Sequence, residues 1–246
     1  MNDRGTQTAR ATQDAVLSRV RELTGRIRDG AAAAEEARTL PADVVEALLA
    51  AGITRILIPP RFGGYGLGLD TWFEVVREVG KADASHGWCA SLMIHHPHYV
   101  SQFSEEAQKA VWADGLDQSI AASIQPVGKV EPAAGGYRIS GQFPFASGIN
   151  HSRWLIAGAL LHSEGRPDAA FLLIRPGDYQ VVDSWFTSAM RATGSSTAIC
   201  DGVNSPRIAC SRKRRRSCPT SARRSPASDA ARSGGGDLAR SVIPVF

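Results

Sequence analysis

Trp88, Leu92, His95 and Tyr99 fall at i, i+4, i+7 and i+11, so on a helix they share one face and set a single imidazole on an aromatic and apolar stripe. An imidazole titrates near pH ~6.5 and can take or return a proton around neutrality, which suits it to act as base or hydrogen-bond partner for an acidic hydroxyl. The same spacing describes a core histidine whose hydrogen bonds are satisfied, and spacing alone leaves both readings open. His96 and His98 crowd the same stretch, but no H-E-x-x-H pattern accompanies them and a metal site is not expected. Two hydroxyl-rich segments are the other candidates. Residues 139–154, ISGQFPFASGINHSRW, and residues 183–196, DSWFTSAMRATGSS, each read as strand, polar loop and strand. Neither contains G-x-S-x-G, so serine hydrolase chemistry is not supported.

The elements that must position these residues follow from periodicity. Val16, Val20, Leu23, Ile27 and Ala31 recur at helical spacing, in a helix weakened at Gly25 and Gly30. Pro41 opens a second helix with Val44, Val45, Leu48 and Leu49 inside and Gly52 past its end. Gly63, Gly64, Gly66 and Gly68 do not fit G-x-G-x-x-G, so a flexible connection between helices is expected there rather than a phosphate cradle. Thr71 and Glu74 have capping-box spacing for a helix through Val75, Val76 and Val79, and further helices are expected over 85–99 and 104–112. After Gly115 the period changes. Segments 118–124, 127–131, 136–141, 153–161, 169–174, 179–183 and 196–201 are short, apolar and bounded by turn residues, and read as antiparallel strands. The expected organisation is α+β: a helical domain over 1–115, a small β-domain over 116–203 and a tail over 204–246.

That tail is chemically distinct. It holds ten Lys or Arg against Asp229 and Asp237, so the net +4 of the 246-residue chain resides there and the first 203 residues are net acidic. Few large apolar residues accompany the charge, so disorder is expected from 204 onward, and Arg212 to Arg216 read as a solvated charge run with a nucleic-acid partner disfavoured. A one-base slip of reading frame near Val203 would account for the abrupt change. No stretch approaches the ~18 apolar residues of a membrane span, and no signal-peptide h-region opens the chain, so a cytoplasmic protein without membrane attachment is expected. Cys89, Cys200, Cys210 and Cys218 form no C-x-x-C pair, which argues against a zinc site or a disulfide framework.

Taken together, PPRFGGYGLGL after a helical start, then GYRISGQFPFASGINHSRW and WFTSAMRATGSS in a β-domain, resemble the acyl-CoA dehydrogenase fold. Within it they look like the oxygenase components of two-component flavin-dependent aromatic and polyketide hydroxylases. The resemblance covers roughly residues 12–203, and Ala189 and Ala192 stand where that family usually carries Gly, Ala192 with mild crowding in a turn. It implies an antiparallel β-barrel after the helices, and a C-terminal helical bundle that this chain lacks. It also implies reduced FMN or FAD from a separate flavin reductase, O2, a C4a-hydroperoxyflavin, an aromatic substrate and, for the full-length family, a homotetramer. By resemblance His95 and Ser147 are the catalytic candidates, with His96 the alternative to His95. Trp88, Ala122, Ser123, Phe145, Ala146 and Ser147 would contact the flavin. Activity would be impaired without the bundle, whose absence would bare apolar surface beside Val75, Val76 and Val79. A true acyl-CoA dehydrogenase and a non-catalytic remnant with a basic tail are the rival readings.

Overall fold

The computed structural model describes residues 3–134, 136–163, 166–206 and 210–212. Helix α1 (Asp3–Ala37) runs unbroken for 35 residues through Gly25 and Gly30. Pro41 then precedes α2 (Ala42–Ala50), and Gly52 turns the chain at φ 82°. Helix α3 (Leu69–Ala82) starts two residues before the expected Thr71 cap, with Gly68 at the N-cap and no side-chain bond there. Thr71 is instead buried. Helix α4 (Ala84–Val100) is capped by Asp83, which accepts from His86 N at 2.9 Å, and α5 (Glu105–Trp112) by Ser104, which accepts from Ala107 N at 3.2 Å. The glycine-rich stretch folds back on itself rather than hanging free: Tyr65 N donates to Arg55 O and Leu67 N to Ile56 O, both at 2.8 Å.

One apolar core joins Val16, Val20 and Ile27 of α1, Val44 and Leu48 of α2, Val75 and Val79 of α3, and Ala90, Met93 and Ile94 of α4. Val75 and Val79 are fully buried within it, while Phe73 of the same helix is exposed. Gly87 sets the α3–α4 spacing, since a Cβ there would come within 2.6 Å of Gly80 Cα. No helix of the described residues is long and apolar enough to cross a membrane.

The β half is a seven-stranded sheet of β1 (Ser119–Ala133), β2 (Gly136–Phe143), β3 (Ser152–Ser163), β4 (Arg166–Ile174), β5 (Gln180–Val182), β6 (Thr197–Pro206) and β7 (Cys210–Arg212), in the order β5-β6-β2-β1-β3-β4-β7. Two segments expected as separate strands, 118–124 and 127–131, are one strand interrupted by a bulge. The purely antiparallel expectation is corrected as well: β1 and β3 pair in parallel, Ser123 opposite Ala157, while every other ladder is antiparallel. The cause is topological. β2 runs against β1 on one side, and the chain then reverses and crosses to the other side, so β3 must run with β1. That crossing takes residues 144–151 over the start of β1. Strand β6 continues to Pro206, and residues 210–212 pair with β4. The rest of the tail, with the expected disorder and most of its charge run, lies outside the described residues.

The two halves meet at a carboxylate. Glu35, in the last turn of α1, accepts from the backbone N–H groups of Arg191 and Ala192, both at 3.0 Å, and from the Ser85 hydroxyl of α4. Burial pushes its pKa up, but the hydroxyl and the two amides outweigh burial and leave it below the usual carboxylate value. Nearby, Arg38 forks onto Asp183 at 2.6 Å through both terminal nitrogens and lies 4.1 Å from the centre of the Phe186 ring. Ala192 sits in the 3-10 turn Arg191–Thr193, buried against the helical core, so its methyl is core packing rather than crowding. Replacing Glu35 by Ala leaves two amides without an acceptor and is expected to lower stability by about 1–3 kcal/mol. Thermal unfolding of the variant measures it; an unchanged midpoint would show that the carboxylate holds nothing.

Candidate functional site

Helix α4 turns two faces to two environments. Cys89, Ala90, Met93 and Ile94 enter the helical core. Trp88, Leu92, His95 and Tyr99 line a cavity of about 290 Å³, closed on the other sides by Ala122 to Gln125 of β1 and by Pro144, Phe145 and Ser147 of the crossing loop. The expected face of α4 is therefore the wall of a cavity. Ala146 is the exception among the expected site residues: it is fully buried behind the loop and does not line the cavity.

The three walls are pinned to one another in pairs. His96 Nδ1 meets Ile120 O at 2.6 Å, joining α4 to β1. The Ser123 hydroxyl donates to Pro144 O at 2.7 Å, joining β1 to the loop. Trp88 Nε1 donates to Ser147 Oγ at 3.1 Å, joining the loop back to α4. Behind the loop, Ala146 N donates to Ser196 O at 3.1 Å and Gly148 N to Thr193 O at 2.8 Å, so residues 146–148 are zipped to the segment that Glu35 holds. The strand bulge also belongs to this design. Gly158 of β3 lies so close beneath it that a Cβ would be 2.4 Å from Ile124 O, and the bulge brings Ile124 and Gln125 to the cavity.

Phe145 occupies the left-handed region at φ 60°, costly for a residue with a Cβ, and is 57% exposed at the cavity rim with its ring edge-on to Trp185. Trp88 is 50% exposed beside it. His95 stacks on Trp72 with ring centres 5.0 Å apart and contacts Tyr99 at 4.4 Å. Burial, with a smaller contribution from His98, holds its pKa below the ordinary value, so it is neutral at pH 7. His96, taken from sequence only as the alternative to His95, is more deeply buried. Burial drives its pKa down to about 4 against the opposing pull of the Ile120 carbonyl. It also lines the cavity, with Nδ1 tied to the Ile120 carbonyl, whereas His95 has both ring nitrogens free of hydrogen bonds to the described residues.

Thr193 and Ser195 carry no role in the sequence pattern, and Trp72 does not stand out in it. The structure joins the first two to Ser147: Ser195 Oγ lies 2.6 Å from Ser147 Oγ and 2.7 Å from Thr193 Oγ1. The density of hydroxyls in Thr193-Gly194-Ser195-Ser196 was the available signal. A larger cleft of about 510 Å³ lies between α1 and α3, lined by Arg10, Gln13, Asp14, Asp70 and Glu74. It has no aromatic wall and holds none of the expected site residues.

Residues 10–117 match the acyl-CoA dehydrogenase N-terminal domain, and the chain has the acyl-CoA dehydrogenase-like fold. Its relatives within that fold are oxygenase components of flavin-dependent hydroxylases. The FADH(2)-dependent resorcinol hydroxylase oxygenase component of Rhizobium sp. (strain MTP-10005) is 37% identical over 194 residues, which are 78% of this chain and 47% of the relative. The 3-HSA hydroxylase structure from Rhodococcus sp. RHA1 superposes with a TM-score of 0.77 at 32% identity, over 80% of this chain and 51% of that one. XiaF from Streptomyces sp., solved in complex with FADH2 and glycerol, superposes with a TM-score of 0.76 at 25% identity, over 83% of this chain and 52% of that one. The chain thus spans about half the length of the relatives it matches.

The His96 pKa fixes a pH dependence. Between its ordinary 6.5 and the folded value of about 4, the unfolded chain binds more protons than the folded one, so stability is full above pH 6.5 and falls as pH drops towards 4. Denaturant unfolding at stepped pH should show this loss in the unsubstituted chain and a flatter profile in His96→Gln. Equal slopes would mean that His96 is not held neutral by the fold.

Proposed function

We propose that the chain belongs to the oxygenase component of a two-component flavin-dependent monooxygenase that hydroxylates a phenolic or polyketide ring in the cytoplasm. Reduced FMN or FAD would come from a separate reductase, and the working assembly would be a homotetramer. The observation that carries the reading is the convergence of Trp88, His95, Phe145 and Ser147 on one aromatic-walled cavity. Homology to oxygenase components over most of the chain supports it. The cavity suits a flavin ring: its walls are largely apolar and aromatic, with a few polar groups converging from different elements. When bound, reduced flavin supplies the activation of O2 and the oxygen atom that is transferred.

The chain's own residues do the rest in this reading. Trp88 and Phe145 cover the ring faces and keep water from them. Ser147 hydrogen-bonds the ring, held in place by Trp88. His95, neutral at pH 7, accepts the proton of the substrate phenol; Trp72 and Tyr99 fix its plane. Ala122 and Ser123 contact the flavin from β1, and since the Ser123 hydroxyl proton is engaged by Pro144 O, Ser123 offers only a lone pair.

Anaerobic titration of the full chain with FMN and FAD, oxidised or dithionite-reduced, tests the flavin. The reduced form should bind more tightly, and Ser147→Ala should weaken it by roughly fivefold, the worth of one hydrogen bond of about 1 kcal/mol. His95→Ala should retain flavin affinity within about twofold while losing on the order of 100-fold in hydroxylation of resorcinol or p-hydroxyphenylacetate assayed with a flavin reductase. A parallel loss of flavin affinity in that variant would make His95 a structural residue.

A further inference from the structure

The hydroxyl chain behind Ser147 has a fixed direction. It ends on Met190 O, a carbonyl that can only accept, and Thr193 Oγ1 lies 2.8 Å from it, so the Thr193 proton is committed there. Thr193 Oγ1 can then only accept from Ser195, 2.7 Å away, and this commits the Ser195 proton. Ser195 Oγ in turn can only accept from Ser147, 2.6 Å away, so Ser147 donates inward. From the α4 side Ser147 also accepts the indole N–H of Trp88, which has no lone pair to offer. The Ser147 hydroxyl has a single proton, and it points away from the cavity. What remains towards the cavity is a lone pair.

We infer that Thr193 and Ser195 are positioning residues that make Ser147 an obligate hydrogen-bond acceptor, so that the cavity selects a ligand presenting an N–H donor at that point. The inference rests on the flavin reading above and deepens it. The central N5 atom of the isoalloxazine ring carries hydrogen in the reduced form and a bare lone pair in the oxidised form. An acceptor opposite N5 pairs with the first and repels the second. The Met190 carbonyl is itself anchored: Trp185 Nε1 donates to it at 2.9 Å, and the turn that follows is the one gripped by Glu35. Redox selectivity is thereby written into backbone geometry three hydroxyls away from the ligand.

The test is the ratio of Kd for oxidised to dithionite-reduced FMN on the full-length chain, read anaerobically by quenching of tryptophan fluorescence, in the unsubstituted protein and in Thr193→Val, Ser195→Ala and Thr193→Ser. Valine keeps the shape of Thr193 but removes the acceptor that orders the chain, and alanine cuts the chain at its middle; either change frees Ser147 to turn its proton into the cavity. The ratio should fall by roughly five- to tenfold in both, mainly because oxidised FMN binds better, and should hold within about twofold in Thr193→Ser. Ser195→Ala carries the test if the valine variant does not fold. An unchanged ratio in the variants, with flavin still bound, overturns the inference and leaves the flavin reading standing. Failure of both redox forms of FMN to bind the unsubstituted chain overturns the flavin reading and the inference with it.

Discussion

A carboxylate at the end of α1 governs where the β half can present its loops. Glu35 reaches across to the backbone amides of Arg191 and Ala192 and takes a third hydrogen bond from Ser85 at the start of α4. A short anion satisfied by three donors from two other elements is a stiff joint, because each donor would be unpaired if the others moved. From that joint the order propagates. The 191–193 turn sets Thr193 and Ser195, these meet Ser147, and residues 146–148 are zipped by their backbone to the same segment. The cavity wall opposite α4 is therefore placed by a residue that does not line it.

The second constraint is the closed triangle of contacts among α4, β1 and the crossing loop. His96 on Ile120, Ser123 on Pro144 and Trp88 on Ser147 each join a different pair of walls, so no wall can shift alone. Against this frame Phe145 is held at φ 60° with its ring exposed at the rim. A strained residue persists where its surroundings over-determine it, and here the strain turns a large aromatic towards the space a planar ligand would fill. Trp88 and Ile124 extend the same exposed apolar rim. Phe145, Trp88 and Ile124 thus gather exposed apolar surface at one cavity.

Much of this was legible in the sequence. The α4 face was, because 3.6-residue periodicity survives any tertiary context: Trp88, Leu92, His95 and Tyr99 share the cavity as their spacing required. The hydroxyl loops were legible as loops, since their Gly, Ser and Pro content admits little else. What periodicity could not supply was pairing. Nothing in the chain's local pattern distinguishes Ser195, 48 positions from Ser147, as its hydrogen-bond neighbour. His96 lines the cavity beside His95, but its deeper burial and its bond to the Ile120 carbonyl, which no local pattern shows, separate the two imidazoles. The parallel β1–β3 ladder was missed because strand direction is set by where the connection crosses, not by the residues of the strands.

The account turns on one claim: the cavity between α4, β1 and the 144–147 loop is where a reduced flavin ring sits, with its N5 against Ser147. The most direct measurement is a crystal structure of the chain grown anaerobically with reduced FMN. The account predicts the ring between Trp88 and Phe145, with N5 within hydrogen-bonding distance of Ser147 Oγ. A ring bound in the polar cleft between α1 and α3, or in the cavity with N5 turned away from Ser147, would contradict it.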